Sequence, residues 1–266
     1  MNFKMLFPSY RNRFLFVKRQ LKRDPKAKYK ILHLGCGEGD YDPHLLPFAS
    51  SILAGDINEG DISYAKSVNG QLSGLEYKVL DALDLAAEDG SFDIVIAVDT
   101  LEHVDEPQQM MHEIARVLKK GGRAFLTFPR YEFPITYDPI NFFNQIWNRK
   151  PIAQGAYAFN HTFLVKNQDW QTWCQKAGLV VEQSQKISGW LIALMEMYWT
   201  GWIQKIFKAN SANKSNQNEK WAVRSDAKTP VLVLLTDLLI GIDAALNGVS
   251  KRSIGMGLII RKKESV

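Results

Sequence analysis

The 266-residue sequence contains only two cysteines, Cys36 and Cys174. Two thiols are too few for a disulfide framework, and neither lies near histidines at a spacing that suggests zinc ligands, so we expect no metal site. The sequence also lacks a charge-free apolar run of about 18 residues that could span a bilayer. Its N-terminus lacks the continuous apolar core that a signal peptide needs. A reduced, cytoplasmic protein is the simplest interpretation.

Acidic residues are scarce in the first 30 positions, which hold ten Lys or Arg against one acid, Asp24. Tyr10, Phe14, Val17 and Leu21 recur among these cations at helical spacing. Residues 1–28 are therefore predicted to contain a basic amphipathic helix. Such a helix suits an anionic membrane surface or a phosphate-rich partner, but it could equally pack its apolar stripe on the domain that follows.

Short apolar segments rich in Val, Ile, Leu and Phe alternate with helix-compatible stretches from residue 29 to residue 129. The five segments are YKILHL (29–34), SSILAGD (50–56), LEYKVLD (75–81), FDIVIAVD (92–99) and GRAFLTFP (122–129). The clearest helix follows the fourth segment and is predicted to begin at Pro107 and to end at Gly121. This alternation predicts an α/β fold with a doubly wound parallel sheet, in which ligands bind beyond the carboxyl ends of the strands.

Three glycines, Gly35, Gly37 and Gly39, directly follow the first predicted strand. A backbone without side chains allows a ligand to approach closely and permits unusual dihedral angles. A dinucleotide-binding loop would need a third glycine at position 40, where the sequence has Asp40, and an acid there disfavours a pyrophosphate. A triphosphate-binding loop would need a Lys-Ser or Lys-Thr pair, which this loop lacks. The loop therefore disfavours NAD, FAD and a nucleoside triphosphate as the ligand.

Four blocks of the sequence, in order, resemble the class I S-adenosylmethionine-dependent methyltransferases. The blocks are ILHLGCGEG, ILAGDIN, VLDALDL with FDIVIAVDTLEHVDEP, and ARVLKKGGRAFLTFP, and they cover roughly residues 29–129. The resemblance is to the small-molecule branch related to ubiquinone and menaquinone biosynthesis methyltransferases. It implies an enzyme with S-adenosylmethionine as cofactor and a Rossmann-like, seven-stranded, mostly parallel sheet with flanking helices.

The resemblance also implies a role for individual residues. Asp56 would accept hydrogen bonds from both ribose hydroxyls, Ile57 would pack on the adenine, and Asp81 would accept from the adenine amino group beside the Ala82 N–H. The remaining implied cofactor-binding positions are His33, Gly35, Cys36, Gly37 and Gly39 in the loop, and Asp99 and Thr100 near the methionine part. Any one of the carboxylates could instead cap a helix or form a turn. Their positions at the ends of successive strands favour a shared ligand.

His33 departs from the family pattern. The family usually has Asp or Glu two residues before the first glycine, where that carboxylate helps to organise the loop and the cofactor's amino group. A protonated imidazole at this position would repel the cofactor's ammonium group. The substitution therefore predicts an altered cofactor affinity at an otherwise intact site.

Two histidines are candidates for a general base, which a methyl transfer needs only when the acceptor is a hydroxyl or a similar acid. His103, in TLEHVDEP, follows the fourth strand, and His161, in FNHTF, lies in the connection after the fifth. Each could instead have a structural role, with His103 capping the next helix or bracing the loop.

An insertion separates a predicted sixth strand, GLVVEQSQ (178–185), from a predicted seventh, GMGLIIRKK (255–263). We divide the chain into the N-terminal helix (1–28), a cofactor-binding core (29–187), a helical insertion (188–252) and a last strand with its tail (253–266). The insertion contains an aromatic-rich stretch (189–207), a polar stretch that is typical of a linker, and a helix with Thr229 as N-cap, Pro230 in its first turn and Gly248 past its end.

One face of this helix is apolar: Val231, Leu234, Leu235, Leu238, Leu239, Ile242, Ala245 and Leu246. The opposite face carries Thr236, Asp237, Asp243 and Asn247. This helix could cover the active site as a lid, lie in a membrane interface or pair with a second subunit.

Three function classes remain open. The first is a methyltransferase that acts on a small-molecule or lipid-like acceptor, with a membrane surface and a homodimer as further partners. The second is a nucleic-acid methyltransferase, which the basic N-terminus favours. It is disfavoured because DTLEH follows the fourth strand in place of the Pro-Pro-aromatic arrangement of base-amino methylases, and because neither cysteine is placed to attack a pyrimidine. The third is a non-catalytic protein that binds S-adenosylmethionine.

Overall fold

A computed structural model describes residues 2–23, 28–157, 161, 163–197, 228–247 and 250–263. Its centre is a seven-stranded sheet with the order β3-β2-β1-β4-β5-β7-β6. All neighbouring pairs are parallel except the two that involve β7. The strands are β1 (Tyr29–Leu34), β2 (Ala49–Asp56), β3 (Leu75–Val79), β4 (Phe92–Val98), β5 (Leu118–Pro129), β6 (Leu179–Ile187) and β7 (Gly255–Lys262). This topology confirms the predicted fold class.

Helices cover both faces of the sheet, because successive residues of each buried strand point to opposite faces. The helices are α1 (Pro8–Leu21), α2 (Asp42–Leu45), α3 (Glu59–Asn69), α4 (Pro107–Val117), α5 (Pro139–Ile146), α6 (Asn167–Lys176), α7 (residues 190–197) and α8 (Val233–Leu246). Val95 of β4 lies in one core with Met110 of α4 and Trp170 of α6. Its neighbour Ile94 lies in the other core, with Phe14 of α1 and Ile62 of α3.

The N-terminal helix α1 packs on the sheet with its apolar stripe. Phe14, Val17 and Leu21 are fully buried in the core that α1 shares with α3. Of the two interpretations of this segment, the structure therefore shows the packed helix. The cations on its outer side stay at the surface: Arg19, Lys22 and Arg23 are exposed.

Two predicted helix ends differ from the observed ones. Helix α4 ends at Val117, and β5 begins at Leu118, so the predicted stop at Gly121 is wrong. Gly121 instead lies within the strand with φ +73°, beside a register irregularity between β4 and β5. Helix α8 begins at Val233, so Thr229 does not cap it. The predicted end at Gly248 lies outside the described residues.

The helices of the insertion lie between β6 and β7 in the chain, as predicted. Ile192 and Ala193 of α7 pack with Ile240 of α8 in a small cluster of their own. The aromatic stretch beyond residue 197 and the polar stretch before residue 228 lie outside the part of the chain that the structure describes. No helix in the described ranges is both long enough and apolar enough to cross a bilayer.

Candidate active site

The glycine loop lies at the carboxyl end of β1, beside the point where the strand order reverses between β1 and β4. Gly35 has φ +66°, and a Cβ there would lie 2.2 Å from the Thr100 Oγ1 atom. Thr100 donates a hydrogen bond to the Leu34 carbonyl at 3.2 Å. Gly39 has φ +77°, and a Cβ there would lie 2.4 Å from the Tyr77 hydroxyl. The loop can therefore follow this path only with glycine at these two positions.

Asp56 joins the glycine loop to the end of β2. Its carboxylate accepts the Gly37 N–H and the Asn58 N–H, each at 2.9 Å. The next residue, Ile57, is 43% exposed, which is unusual for a large aliphatic side chain directly after a buried strand. A carboxylate and an apolar side chain thus lie together at the mouth of the loop.

Asp81 and Ala82 follow β3 at the same edge of the sheet. Asp81 is exposed, and its Oδ1 atom accepts the Leu83 N–H at 2.9 Å, so this carboxylate forms a turn. Asp56 ends β2, and Asp81 follows β3, its parallel neighbour, so both residues lie at the carboxyl-terminal edge of the sheet. The turn that Asp81 closes is compatible with a second hydrogen bond from a ligand, because a carboxylate accepts several.

His33 points into the protein and not towards the loop's open side. Its ring is 2% exposed, and its Nδ1 atom lies 2.6 Å from the Oδ1 atom of Asp42, which is fully buried. The ring also stacks on Tyr41. Asp42 therefore brings a carboxylate to the base of the glycine loop from nine positions further along the chain. The sequence reasoning missed Asp42, although it stands directly after the loop in GDYDP.

Asp99 at the end of β4 is held by a residue from the N-terminal helix. The Arg13 Nε atom donates to the Asp99 Oδ1 atom at 2.7 Å, and the Thr127 hydroxyl donates to the same oxygen at 3.0 Å. Asp99 has φ +50°, a left-handed conformation that costs a non-glycine residue free energy. Burial lowers the pKa of Arg13, but the charge and hydrogen bond of Asp99, together with the charges of Tyr137 and Glu196, raise it overall, so the guanidinium stays charged. Arg13 was not predicted as a site residue.

The two histidines proposed as bases come together with a buried acid. The His103 and His161 ring centroids lie 5.1 Å apart, and the His161 Nε2 atom lies 3.9 Å from the Glu102 Oε1 atom. Glu102 is fully buried. One ligand atom from each of the three side chains lies within 4.8 Å of the others, a spacing at which they could hold a metal ion. Glu102 was not among the predicted site residues, although it directly precedes His103.

The surroundings of His161 define its protonation. Its Nδ1 atom lies 2.9 Å from the Ala156 carbonyl oxygen, which can only accept, so Nδ1 carries the proton and Nε2 carries the lone pair. Burial lowers the pKa of His161 to about 4. Burial also raises the pKa of Glu102 well above its usual value, and the Asp99 charge raises it further. At neutral pH the imidazole is therefore a neutral acceptor.

Neither cysteine is expected to react with thiol reagents in the folded protein. Burial raises the pKa of Cys174 to about 12 and that of Cys36 well above its usual value, so neither forms the reactive thiolate. Titration with Ellman's reagent should show almost no reaction in native buffer and two thiols in denaturant. One fast thiol in native buffer would contradict this expectation.

A family model described as "Methyltransferase domain" matches residues 32–126. Those residues run from β1 to β5 and include every strand end described above. The segment from residue 32 to residue 126 is similar to a methyltransferase domain. The match confirms the resemblance seen in the sequence, and S-adenosylmethionine is the cofactor that this domain implies.

Curated relatives carry the name "Ubiquinone biosynthesis O-methyltransferase". The protein from Xanthomonas oryzae pv. oryzae (strain PXO99A) is 35% identical over 108 residues, which cover 38% of this chain and 43% of the relative. The protein from Xanthomonas euvesicatoria pv. vesicatoria (strain 85-10) is 29% identical over 170 residues, which cover 62% of this chain and 67% of the relative. The chain therefore spans less than half the length of the first of these relatives.

Solved structures extend the likeness of the fold to nearly the whole chain. An S-adenosylmethionine-dependent methyltransferase from Mesorhizobium loti superimposes with a TM-score of 0.56 and 14% sequence identity. The superposition covers 92% of this chain and 96% of that one. At this identity the likeness concerns the fold, and the residues of the insertion have to be interpreted from their own contacts.

Proposed function

We propose that the chain transfers a methyl group from S-adenosylmethionine to a hydroxyl of a small-molecule, lipid-like acceptor. The observation that carries this proposal is the meeting of His161, His103 and Glu102 directly beyond Asp99 and Thr100. A lone-pair nitrogen thereby lies next to the proposed methionine end of the cofactor site. A methyl transfer to oxygen needs an acceptor for the hydroxyl proton at that place.

The residues at the strand ends fit S-adenosylmethionine, which has no phosphate and carries a ribose diol, an adenine, an amino acid and a sulfonium. Asp56 would accept from the ribose hydroxyls, the exposed Ile57 would cover one face of the adenine, and Asp81 would accept from its amino group. Gly35, Cys36, Gly37 and Gly39 would give the amino acid part close access to backbone. Asp42, through His33, supplies the buried carboxylate that the His33 position lacks.

When bound, the cofactor supplies an electrophilic methyl group on sulfur. In the proposed reaction, the Nε2 atom of His161 would take the proton of the acceptor hydroxyl, so that the oxygen could accept the methyl group that the cofactor supplies. The Ala156 carbonyl holds the imidazole in the tautomer that can take this proton. His103 packs beside it and limits where the acceptor can lie, which favours one alignment of the attacking oxygen.

The same three side chains have a second candidate role, which their mutual spacing favours. One carboxylate and two imidazoles within 4.8 Å of one another are a suitable set of ligands for a divalent cation, which would lower the pKa of a bound hydroxyl. Chelation distinguishes the roles. Activity that survives dialysis against EDTA supports proton transfer to His161, whereas activity that needs added Mg²⁺ or Zn²⁺ supports the cation.

The other function classes are less well supported. A nucleic-acid methyltransferase would use the basic N-terminus as a phosphate-binding surface, yet Arg11 and Arg13 are buried in ion pairs with Asp237 and Asp99. A non-catalytic binding protein was suggested by His33, whose partner Asp42 restores an acid to the loop. We place the reaction in the cytoplasm, at the inner membrane surface where a lipid-like acceptor is available.

The activity can be tested with tritiated S-adenosylmethionine and a total lipid extract. We expect labelled methyl groups to enter the organic phase and to resist mild alkali, as ethers do and esters do not. We expect His161→Asn to lower the rate by about 100-fold, the usual scale for loss of a general base, with little change in cofactor affinity. His112→Asn is the matched control, because His112 is exposed on α4.

If His161→Asn and His112→Asn transferred methyl groups at the same rate, His161 would not be the general base. Tight binding of the cofactor without any transfer to lipid or to other cell extracts would support the non-catalytic class.

A further inference from the structure

Helix α8 presents its polar side to the protein and its apolar side to the surroundings. Thr236, Asp243 and Asn247 are buried, whereas leucines on the opposite side are exposed. A helix that packs on a water-soluble domain normally has the reverse orientation. The sequence correctly separates the two faces of this helix, and the structure shows which of them points outward.

Specific contacts hold α8 in this orientation. The Asp243 carboxylate accepts the N–H groups of Gly189, Leu191 and Ile192 at the start of α7, at 2.6, 3.0 and 3.2 Å. These donors have no partner within their own helix, so Asp243 caps α7 from a distant part of the chain. Asp237 accepts from Arg11 of α1 at 2.8 and 2.9 Å. Rotating α8 to bury its leucines would break both sets of bonds and leave buried charges unpaired.

The outward side of α8 is a continuous apolar surface. Leu234 and Leu238 are 68% and 61% exposed, and they follow each other by one helical turn. The other exposed apolar residues of this surface are Val231, Leu232, Leu235, Ile242 and Leu246, with Trp190 and Leu194 on the adjoining α7. We call these nine residues the leucine surface. Large contiguous apolar patches on soluble proteins mark places where another apolar phase or partner binds.

Cations of α1 lie on the side of that helix that binds α8, because Lys18 follows Arg11, the partner of Asp237, by two helical turns. Lys18 of α1 lies near Asp237, and its pKa is lowered by burial and then by the neighbouring charges of Lys22 and Arg11. Lys22 is exposed at the end of the same helix. Because Asp237 already pairs with Arg11, the seam between α1 and α8 keeps an excess of positive charge.

We propose that the leucine surface and the Lys18–Lys22 row dock the protein on an anionic lipid bilayer, with the leucines in the interfacial region and the lysines at the headgroups. Anionic headgroups are attracted by the cations, whereas the apolar face of a second copy would gain nothing from them. The proposal goes beyond methyl transfer, because it concerns binding without turnover. It gives the active site access to acceptors that stay in the membrane.

The test is co-sedimentation of the full chain with vesicles of phosphatidylcholine alone or mixed with phosphatidylglycerol. We expect the unaltered chain to bind the mixed vesicles. A Leu234→Glu and Leu238→Glu double variant should bind them about 30-fold more weakly, because two leucine side chains no longer enter the apolar part of the bilayer. Lys18→Gln with Lys22→Gln should weaken binding to anionic vesicles by about tenfold and leave binding to neutral ones unchanged. Leu72→Glu, at another exposed leucine, is the control for a general effect of added charge.

Folding of each variant is checked by its affinity for S-adenosylhomocysteine, which needs neither a membrane nor an acceptor. Unchanged vesicle binding in the leucine double variant would overturn the proposal. The proposal would also be overturned if light scattering showed that the unaltered chain is a dimer and the leucine double variant a monomer, and if neither protein bound vesicles. Absence of methyl transfer would contradict the proposed activity and leave the docking result as it stands.

Discussion

The Asp56→Ala variant is expected to bind S-adenosylhomocysteine about three orders of magnitude more weakly than the unaltered chain. The Asp56 carboxylate has a structural role and a proposed role in binding the ligand. It holds the Gly37 and Asn58 N–H groups, each at 2.9 Å, and in the proposed complex it accepts from both ribose hydroxyls. Hydrogen bonds to a charged group contribute about 1.5–3 kcal/mol each, so the loss of two to the ligand alone corresponds to the expected change.

Isothermal titration calorimetry measures this affinity directly. The matched control is Asp93→Ala. Asp93 also accepts a backbone N–H, from Lys30 at 2.8 Å, and pairs with Lys119, but it lies at the start of β4, at the opposite edge of the sheet. Both variants lose a carboxylate that accepts a backbone N–H from another segment of the chain, Gly37 for Asp56 and Lys30 for Asp93, yet only Asp56→Ala should lose affinity. An Asp56→Ala protein that binds S-adenosylhomocysteine as tightly as the unaltered chain would show that the cofactor does not lie at this edge.

The positions of the proposed cofactor-binding residues could be predicted because each of them follows a strand in a short, local pattern. Parallel strands bring their carboxyl ends to one edge, so Asp56, Asp81 and Asp99 lie at that edge whatever the rest of the chain does. The glycines are required by local backbone geometry, as the φ angle of Gly35 shows. Such features depend on neighbours within a few residues, and these are visible in the sequence.

The remaining contacts join distant segments, and nothing local marks them. Arg13 reaches Asp99 across 86 positions, and His161 meets Glu102 and His103 only because the connection after β5 folds back over the end of β4. Arg13 is one of ten cations in the first 30 residues, and because such a basic run is usually solvated, nothing in the sequence marks it as buried. Its burial depends on a single carboxylate that the sequence places in another element.

Helix α8 shows the same division between local and distant information. The period of its apolar residues gave its two faces correctly, since that depends only on 3.6 residues per turn. Which face points inward depends on partners. Arg11 and the N–H groups at the start of α7 bind two carboxylates of α8, and these bonds outweigh the burial of several leucines.

The Asp99→Asn variant is expected to lower the free energy of unfolding by about 3 kcal/mol, more than Arg13→Met lowers it. The reason is the unequal exposure of the two partners. The Arg13 side chain is 8% exposed and the Asp99 side chain 33%, so an unpaired Arg13 keeps a charge inside the protein, while an unpaired Asp99 can turn to water. Breaking a fully buried pair costs about 3–5 kcal/mol, and the partial exposure of Asp99 places the expected value at the lower end.

Urea unfolding of the two single variants and the double variant measures these costs as a double-mutant cycle. The double variant should be about as stable as Arg13→Met alone. Once the guanidinium is gone, the Asp99 carboxylate has no buried positive charge to neutralise, so its loss costs little more. Arg13→Lys, which keeps the charge but not the guanidinium nitrogen that binds Asp99, should lie between the unaltered chain and Arg13→Met. If Asp99→Asn and Arg13→Met cost the same and add in the double variant, the two side chains act independently. The N-terminal helix would then be held by its apolar stripe and by the Arg11–Asp237 pair, and Arg13 would have no part in holding the end of β4.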